Sequence, residues 1–419
     1  MKNNIINKLL PLLFLLPVTF VTSCTEETPG KYETTDGLPT VYYIRYQNKD
    51  LEEQLLTGAQ MNENIVLIGD NLTSIQEVWF NNVKAVLNIN FITKNTLFVN
   101  VPNDLPSVLT NKIYLVTGKK DTVAYDFEVR IPAPKFTKMK CEQVPEGGEV
   151  VVEGDYFLAT DPSLIHVLVG DYEIPTSDII RFEKTTLAFK SPAMDIRGPL
   201  EIKTVYGSSG RSKDVFHDDR GLLTGFEEGF VAGWGRPSAA RIQNDPALAL
   251  TGNYCRLDGK QIDSGTWSSG GEDYYTINFW GEDNGVPTGN FFPSDPATST
   301  LKFEVNVLEP WTALPMIFCF FGQGGMQDYL WADGTSAGGG QPRAFWAPWK
   351  GPGSYVTDGW ETISIPLSDF KYNGYGVEVP YATAYGALGL SIHNRGSEYY
   401  AGEMACNPVI LIDNIRVIP

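Results

Sequence analysis

The chain repeats itself. Ile65-Val-Leu-Ile-Gly-Asp-Asn-Leu72 returns as Val150-Val-Val-Glu-Gly-Asp-Tyr-Phe157, and Asn95-Thr-Leu-Phe-Val-Asn-Val-Pro102 returns as Thr185-Thr-Leu-Ala-Phe-Lys-Ser-Pro192. The offset stays between 85 and 90 residues throughout, and each copy opens after a proline, Pro39 or Pro134. Self-similarity at a fixed period means that one structural unit is used twice. Within each copy, short β-branched or aromatic runs such as Glu77-Val-Trp-Phe80 and Ile113-Tyr-Leu-Val116 are bounded by Asn, Gly, Pro or Asp, the pattern of strands joined by tight turns. About seven strands in a unit of this size make an immunoglobulin-like sandwich. The Pro-rich stretch Ile131-Pro-Ala-Pro134 and the run from Gly207 to Lys213 set the boundaries, giving one domain over 39–132 and a second over 133–218.

The Gly-Asp-x-Leu/Phe turn, the later Leu-x-Phe/Val-x-x-Pro and the closing Asn/Gly-rich hairpin resemble the IPT/TIG subclass of these sandwiches. Little in the copies points to chemistry. Trp79 is their single tryptophan and reads as core, while His166 lies in the alternating run Leu164-Ile-His-Val-Leu168 and reads as an ordinary strand residue. The copies are expected to act as spacers.

The N-terminus carries Lys2 and Lys8, an apolar run from Leu9 to Val21 interrupted by Pro11 and Pro17, and then Thr22-Ser23-Cys24. That is a signal peptide over 1–23, too short to span a bilayer as a helix. Cys24 after small residues resembles the lipobox of bacterial lipoproteins, whose cysteine is lipidated. The alternative is ordinary cleavage and release. Each buried acyl CH₂ contributes about 0.8 kcal/mol, so several chains would anchor the protein with no membrane-spanning segment. Thr25, Glu26 and Glu27 resemble the acidic signal that sends lipoproteins of Gram-negative gut bacteria to the outer face of the outer membrane, and residues 24–38 compose a flexible tether.

A formal net charge of -18 repels nucleic acid and anionic lipid surfaces and leaves neutral or cationic partners. Beyond Cys24, the thiols of Cys141, Cys255, Cys319 and Cys406 show neither a CxxC spacing nor a nearby histidine, which removes support for zinc and favours buried free thiols over a disulfide.

Past residue 219 the composition changes: eight of the nine tryptophans fall in 219–419. That exceeds what a core of this size asks for, and the surplus suits ligand contact. The order of segments, from Gly225-Phe-Glu-Glu-Gly229 through Gly252-Asn-Tyr-Cys-Arg-Leu257 and Asp358-Gly-Trp-Glu-Thr-Ile-Ser-Ile-Pro-Leu367 to Val409-Ile-Leu-Ile-Asp-Asn-Ile-Arg-Val417, resembles jelly-roll carbohydrate-binding modules. The fold class is therefore all-β: two immunoglobulin-like sandwiches followed by a larger jelly-roll sandwich. Taken with tether and repeats, the chain resembles the surface glycan-binding lipoproteins of starch-utilisation-like uptake systems that end in a xyloglucan-binding-type domain. The resemblance implies a neutral β-glucan ligand, xyloglucan or mixed-linkage, and partnership with an outer-membrane glycan transporter and surface hydrolases. It also implies a membrane link through the lipid alone.

A pyranose presents an apolar face that lies flat on an indole while its hydroxyls hydrogen-bond at the edge. The densest aromatic segment runs from Tyr329 to Trp349 and is rich in Gly and Pro, which reads as a pair of loops. Trp331, Trp346 and Trp349 are the expected platform, with Arg343, Gln341 and Asp333 as polar contacts. Trp267 and Trp280 border Gly-rich turns and either extend the platform or join the core; Trp360 and Trp234 read as structural, and Trp311 is left open. No cofactor is required. A structural calcium shared by an acid near the first strand and one on the last, as in many jelly-roll modules, would fall on Glu227 and Asp413, which otherwise are solvated acids.

Two other classes compete. A glycoside hydrolase needs two carboxylates about 5 to 10 Å apart, and no Glu-x-Asp-x-x-Glu strand offers them. Gly334-Thr-Ser-Ala-Gly338 matches a nucleophile elbow in letters only, since Gly339-Gly-Gln-Pro342 cannot begin the helix such an elbow needs. The chain is expected not to be an enzyme. A protein-binding adhesin is the other alternative.

Overall fold

The computed structural model describes residues 37–51, 53–159, 161–227, 239–258, 275–280, 295, 297–313, 315–321, 343–372, 377–378, 387–392 and 406–419. Cys24 and the tether lie outside the described residues. The described fold is all-β, and no described helix is long and apolar enough to cross a membrane. The chain forms two compact units, one ending at Arg130 and one running from Ile131 to Pro419.

The first unit holds the first repeat. One sheet is Thr40–Tyr46, Asn64–Asp70 and Thr96–Asn100; the other is Val83–Lys84, Ile75–Phe80, Lys112–Thr117 and Thr122–Asp126, each in spatial order. Strict alternation in Lys112–Thr117 puts Ile113 and Leu115 into the core and leaves Tyr114 and Val116 half-exposed. The second repeat has the same plan, with Lys135–Met139, Glu149–Asp155, Thr186–Lys190 and Ile179–Glu183 facing Tyr172–Glu173, His166–Val169, Gly198–Thr204 and Gly207–Phe216.

The shared Gly-Asp has a steric cause. In each copy a bulge in the first strand, between Val41 and Tyr43 or between Phe136 and Lys138, presses its backbone onto the glycine opposite. A Cβ on Gly69 would stand 1.8 Å from the Thr40 carbonyl oxygen, and one on Gly154 would stand 2.1 Å from that of Lys135, so neither site admits a side chain.

Trp79 corrects its expected place in the core. A bulge between Ile75 and Glu77 inserts one residue and reverses the parity of the strand. Val78 and Phe80 therefore point inward while Trp79 lies half-buried on the outer face, its indole Nε1 donating to Glu77 Oε2 at 2.9 Å.

The C-terminal sandwich follows in the same unit as the second repeat. Its larger sheet runs Ile242–Gln243, Tyr254–Asp258, Val409–Ile418, Thr300–Glu309, Glu361–Pro366, with Leu222–Thr224 also paired to Val409–Ile418. Its smaller sheet runs Tyr275–Trp280, Ala387–Ile392, Met316–Phe321, Arg343–Trp346. Leu301, Phe303, Val305, Phe318, Leu388, Leu390, Ile410 and Ile412 fill the space between them. Cys141, Cys255 and Cys406 are buried free thiols.

Candidate functional site

The two outer faces of the C-terminal sandwich differ in accessibility. Along the larger sheet, Lys302, Glu304 and Arg416 are all buried on the face that the second repeat covers. Glu142 of that repeat accepts from Lys302 Nζ at 2.5 Å and from Arg416 Nη2 at 2.8 Å, and Asp214 accepts from Lys302 at 2.7 Å. Glu304 receives two further bonds from Arg416, at 2.8 and 2.9 Å. Burial pushes the Glu142 carboxyl above its ordinary value even against the pull of Lys302 and Arg416. Backbone bonds reinforce the contact: Thr362 N–H donates to Lys140 O at 2.9 Å, and Glu142 N–H to Thr362 Oγ1 at 2.8 Å. The second repeat is thus a cap on this sheet, which corrects its reading as a spacer.

The smaller sheet lays one parity of its strands into the core. Its register aligns Trp280 with Ala387 and Phe321, Asn278 with Gly389 and Cys319, and Thr276 with Ser391 and Ile317. The intervening positions Leu388, Leu390, Met316 and Phe318 belong to the core, and Ile317 and Arg343, which lie in the other rows, are buried as well. Small residues occupy the central strand, with Trp280 at one flank.

The predicted platform separates into parts. Arg343–Trp346 is a strand rather than a loop, because Phe345 and Trp346 pair with Ile317 and Met316. Trp346 is half-buried and packs edge to face against Phe303, Trp311 and Tyr355, with centroids 5.5, 5.4 and 5.8 Å away. Trp349 is buried in the turn Pro348–Lys350, and Arg343 is fully buried. As placed, Trp349 and Arg343 offer no face to a ligand, which corrects their assignment to an exposed platform. Trp311 is fully buried, its Nε1 donating to Ala313 O at 2.8 Å. Trp360 packs on the core of the second repeat and donates to Leu248 O at 2.7 Å. Trp331, Gln341, Asp333, Trp267 and Trp234 lie outside the described residues, and for Trp280 the strand position alone is described.

The acids near the first and last strands do approach each other. A Cβ on Gly225 would stand 3.7 Å from Asp413 Oδ1, 3.2 Å from Asn414 Oδ1 and 3.8 Å from Glu227 Cγ, so the three side chains surround this glycine. Glu227 is exposed and accepts from Asn253 N–H at 3.0 Å. Asp413 is buried, and its Oδ2 has no hydrogen-bond partner among the described residues. Burial first, and then the carboxylates of Glu304 and Glu227, hold the Asp413 carboxyl well above its ordinary value. Oxygen donors beside an unsatisfied buried carboxylate are the chemistry that a hard divalent cation takes. Among the described residues no group of three or more His, Cys, Asp or Glu is arranged to hold a metal.

Comparison with known proteins places this architecture. Residues 216–419 match the family model described as surface glycan-binding protein B xyloglucan binding domain. The crystal structure of surface glycan-binding protein PbSGBP-B from Prevotella bryantii is 30% identical, with a TM-score of 0.64, and the match covers 91% of this chain and 99% of that one. An IPT/TIG domain-containing protein of Bacteroides ovatus is 26% identical over 199 residues, 46% of this chain and 35% of that protein, so the match spans about a third of the curated relative's length. Likeness over nearly the whole length of the Prevotella protein, with the domain model matching the tryptophan-rich sandwich, puts the chain in the family of surface glycan-binding proteins with IPT/TIG domains.

Proposed function

We propose that this protein binds a neutral β-glucan polysaccharide, xyloglucan or mixed-linkage glucan, on its C-terminal sandwich and holds it at the cell surface for surface hydrolases and an outer-membrane transporter. It does so without being an enzyme, lipid-anchored through Cys24 to the outer membrane and facing the exterior. The observation that carries the reading is the unequal use of the two sheets. The second repeat caps the larger sheet through Glu142, Lys302 and Arg416, which withdraws that face from a polymer. Trp311 and Trp349 are buried, and Trp346 and Trp360 pack against their neighbours. The stacking role therefore moves to Trp280, Trp267 and Trp331, with Gln341 and Asp333 as polar contacts.

Affinity electrophoresis of residues 25–419 through xyloglucan, barley β-glucan, laminarin, mannan and starch gels tests this, beside Trp280→Ala and Trp331→Ala. Retardation by one β-glucan that either variant weakens is the expected result. Free migration through every gel would sink the reading and favour a protein partner.

Calcium is the cation that the Glu227, Asp413 and Asn414 oxygens would hold, tying the first strand to the last. Added calcium is expected to raise the melting temperature over that in chelator, and Asp413→Asn to abolish the increment; equal melting with and without calcium would refute it.

A further inference from the structure

The outer face of the first repeat carries an aromatic row that its fold does not require. Across the sheet, hydrogen-bonded neighbours read Lys84, Trp79, Tyr114, Ala124. The second repeat has the same strand order, and its corresponding row reads Glu173, Leu168, Glu201, Arg211. The second copy therefore closes the same sandwich with one aliphatic and three charged residues where the first places two aromatic rings.

The surroundings of those rings are chemically specific. Trp79 and Tyr114 are half-buried, and Val116, Thr122 and Ala124 border them with small or apolar surface. Glu77 accepts the Trp79 indole N–H at 2.9 Å and lies 3.3 Å from Lys84 Nζ and 3.6 Å from Lys120 Nζ. One carboxylate thus faces two ammonium groups, so the rim carries both signs of charge and a small positive excess in a chain of net charge -18. Lys84 Nζ, 5.8 Å from the indole centroid, sits on an exposed and flexible side chain that can give way. Two aromatic side chains bury about 300–500 Å² together, short of the roughly 800 Å² that each partner gives to a stable protein interface. An aromatic surface with donors and acceptors at its rim fits the apolar face and ringed hydroxyls of a pyranose.

We infer that Trp79 and Tyr114 form a second, weaker subsite for the same neutral β-glucan, on the first repeat. This inference rests on the proposed function: a polymer already held by the C-terminal sandwich would meet the second site at a raised effective concentration, so a weak contact there would add avidity.

The test uses the full mature chain and the glucan whose gel retards it. Two variants probe the site: Trp79→Ala with Tyr114→Ala, and Ala124→Arg, which sets a bulky cation beside Tyr114 at an exposed position without touching the core. Titration with a short oligosaccharide of that glucan is expected to fall from two sites per chain to one in both variants, with the stronger site unchanged. Gel retardation by the polymer should weaken about tenfold, below the roughly 10²–10⁴ gained by linking two strong modules, because the second site is weak. Ala124→Arg keeps the experiment decisive if the double variant folds poorly. Wild-type stoichiometry and retardation in Ala124→Arg would overturn the second subsite while leaving the C-terminal site standing. Failure of wild type to bind any glucan would instead strike the proposed function and this inference with it, whereas loss of the stronger site alone with Trp280→Ala is what the C-terminal site predicts.

Discussion

The two immunoglobulin-like copies have one fold and two fates. Both carry the first-strand bulge, the glycine beneath it and the same pair of sheets. In the first copy the surface charges pair among themselves, Lys112 with Asp126 and Lys84 with Glu77. In the second, Glu142 and Asp214 reach out of the copy to Lys302 and Arg416; Glu142, Lys302 and Arg416 are buried and Asp214 is partly exposed. Removing one of these partners while the domains stay docked would leave a desolvated charge unpaired, which costs more than the pair contributes when formed. A fold can thus be duplicated intact while a few charged positions decide whether a copy stands apart or becomes part of the next domain.

The most severe test of this difference is Glu142→Ala, which leaves Lys302 and Arg416 without their shared partner. Removing one member of a buried pair costs about 3–5 kcal/mol, so calorimetry should show unit 2 melting earlier while the first repeat melts as before. An unchanged trace would mean that the docking carries no energy. Trp349→Ala should cost about 3 kcal/mol through the cavity it opens, and if it instead lowers glucan affinity with stability intact, the buried assignment is wrong. Trp360→Ala removes a hydrogen bond to Leu248 and a T-shaped contact with Tyr254, about 1–2 kcal/mol in all. The matching change in the first copy, Trp79→Ala, should cost about 1 kcal/mol or less, since half of that ring is already in water.

The smallest effect is one of pH, and only the second copy should show it. His217 is buried with Nε2 2.8 Å from Val144 O and Nδ1 3.0 Å from Ile196 O, and burial outweighs these carbonyls to hold its pKa below the ordinary value. A depressed histidine binds fewer protons folded than unfolded, so its contribution is complete above about pH 6.5 and is lost as pH falls through the folded value. Melting of unit 2 should fall between about pH 7 and 5, and His217→Gln should flatten that slope. The first copy contains no histidine and serves as the internal control.

What could be read from the residues was whatever depends on neighbours in sequence. The Gly-Asp pairs are local, because each glycine answers a bulge in the strand beside it, and repetition made them visible. Trp79 was misplaced because a single inserted residue reverses the side of a strand, and nothing in Ile75-Gln-Glu-Val-Trp-Phe80 marks the insertion. Arg343–Trp346 looked like loop because turn formers flank it on both sides. Gly338, Gly339, Gly340 and Pro342 precede it and Pro348 follows, so a strand of four residues is all that lies between them. The docking of the second repeat was invisible for a different reason. Glu142 and Arg416 lie 274 positions apart, and no periodicity links a buried acid to a base at that distance.

The position of the Val409–Ile418 strand bears on how the protein comes into being. It lies between Tyr254–Asp258 and Thr300–Glu309 and also holds Leu222–Thr224, so three earlier strands wait for it. A chain emerging N-terminus first can fold its first repeat while synthesis is still under way, but the large sheet stays open until this strand arrives. Arg416 arrives with it, and only then does Glu142 gain its guanidinium. A chain cut before Val409 would lose the middle of its sheet and the clasp on its neighbouring domain together, and would present itself to proteases as unfinished.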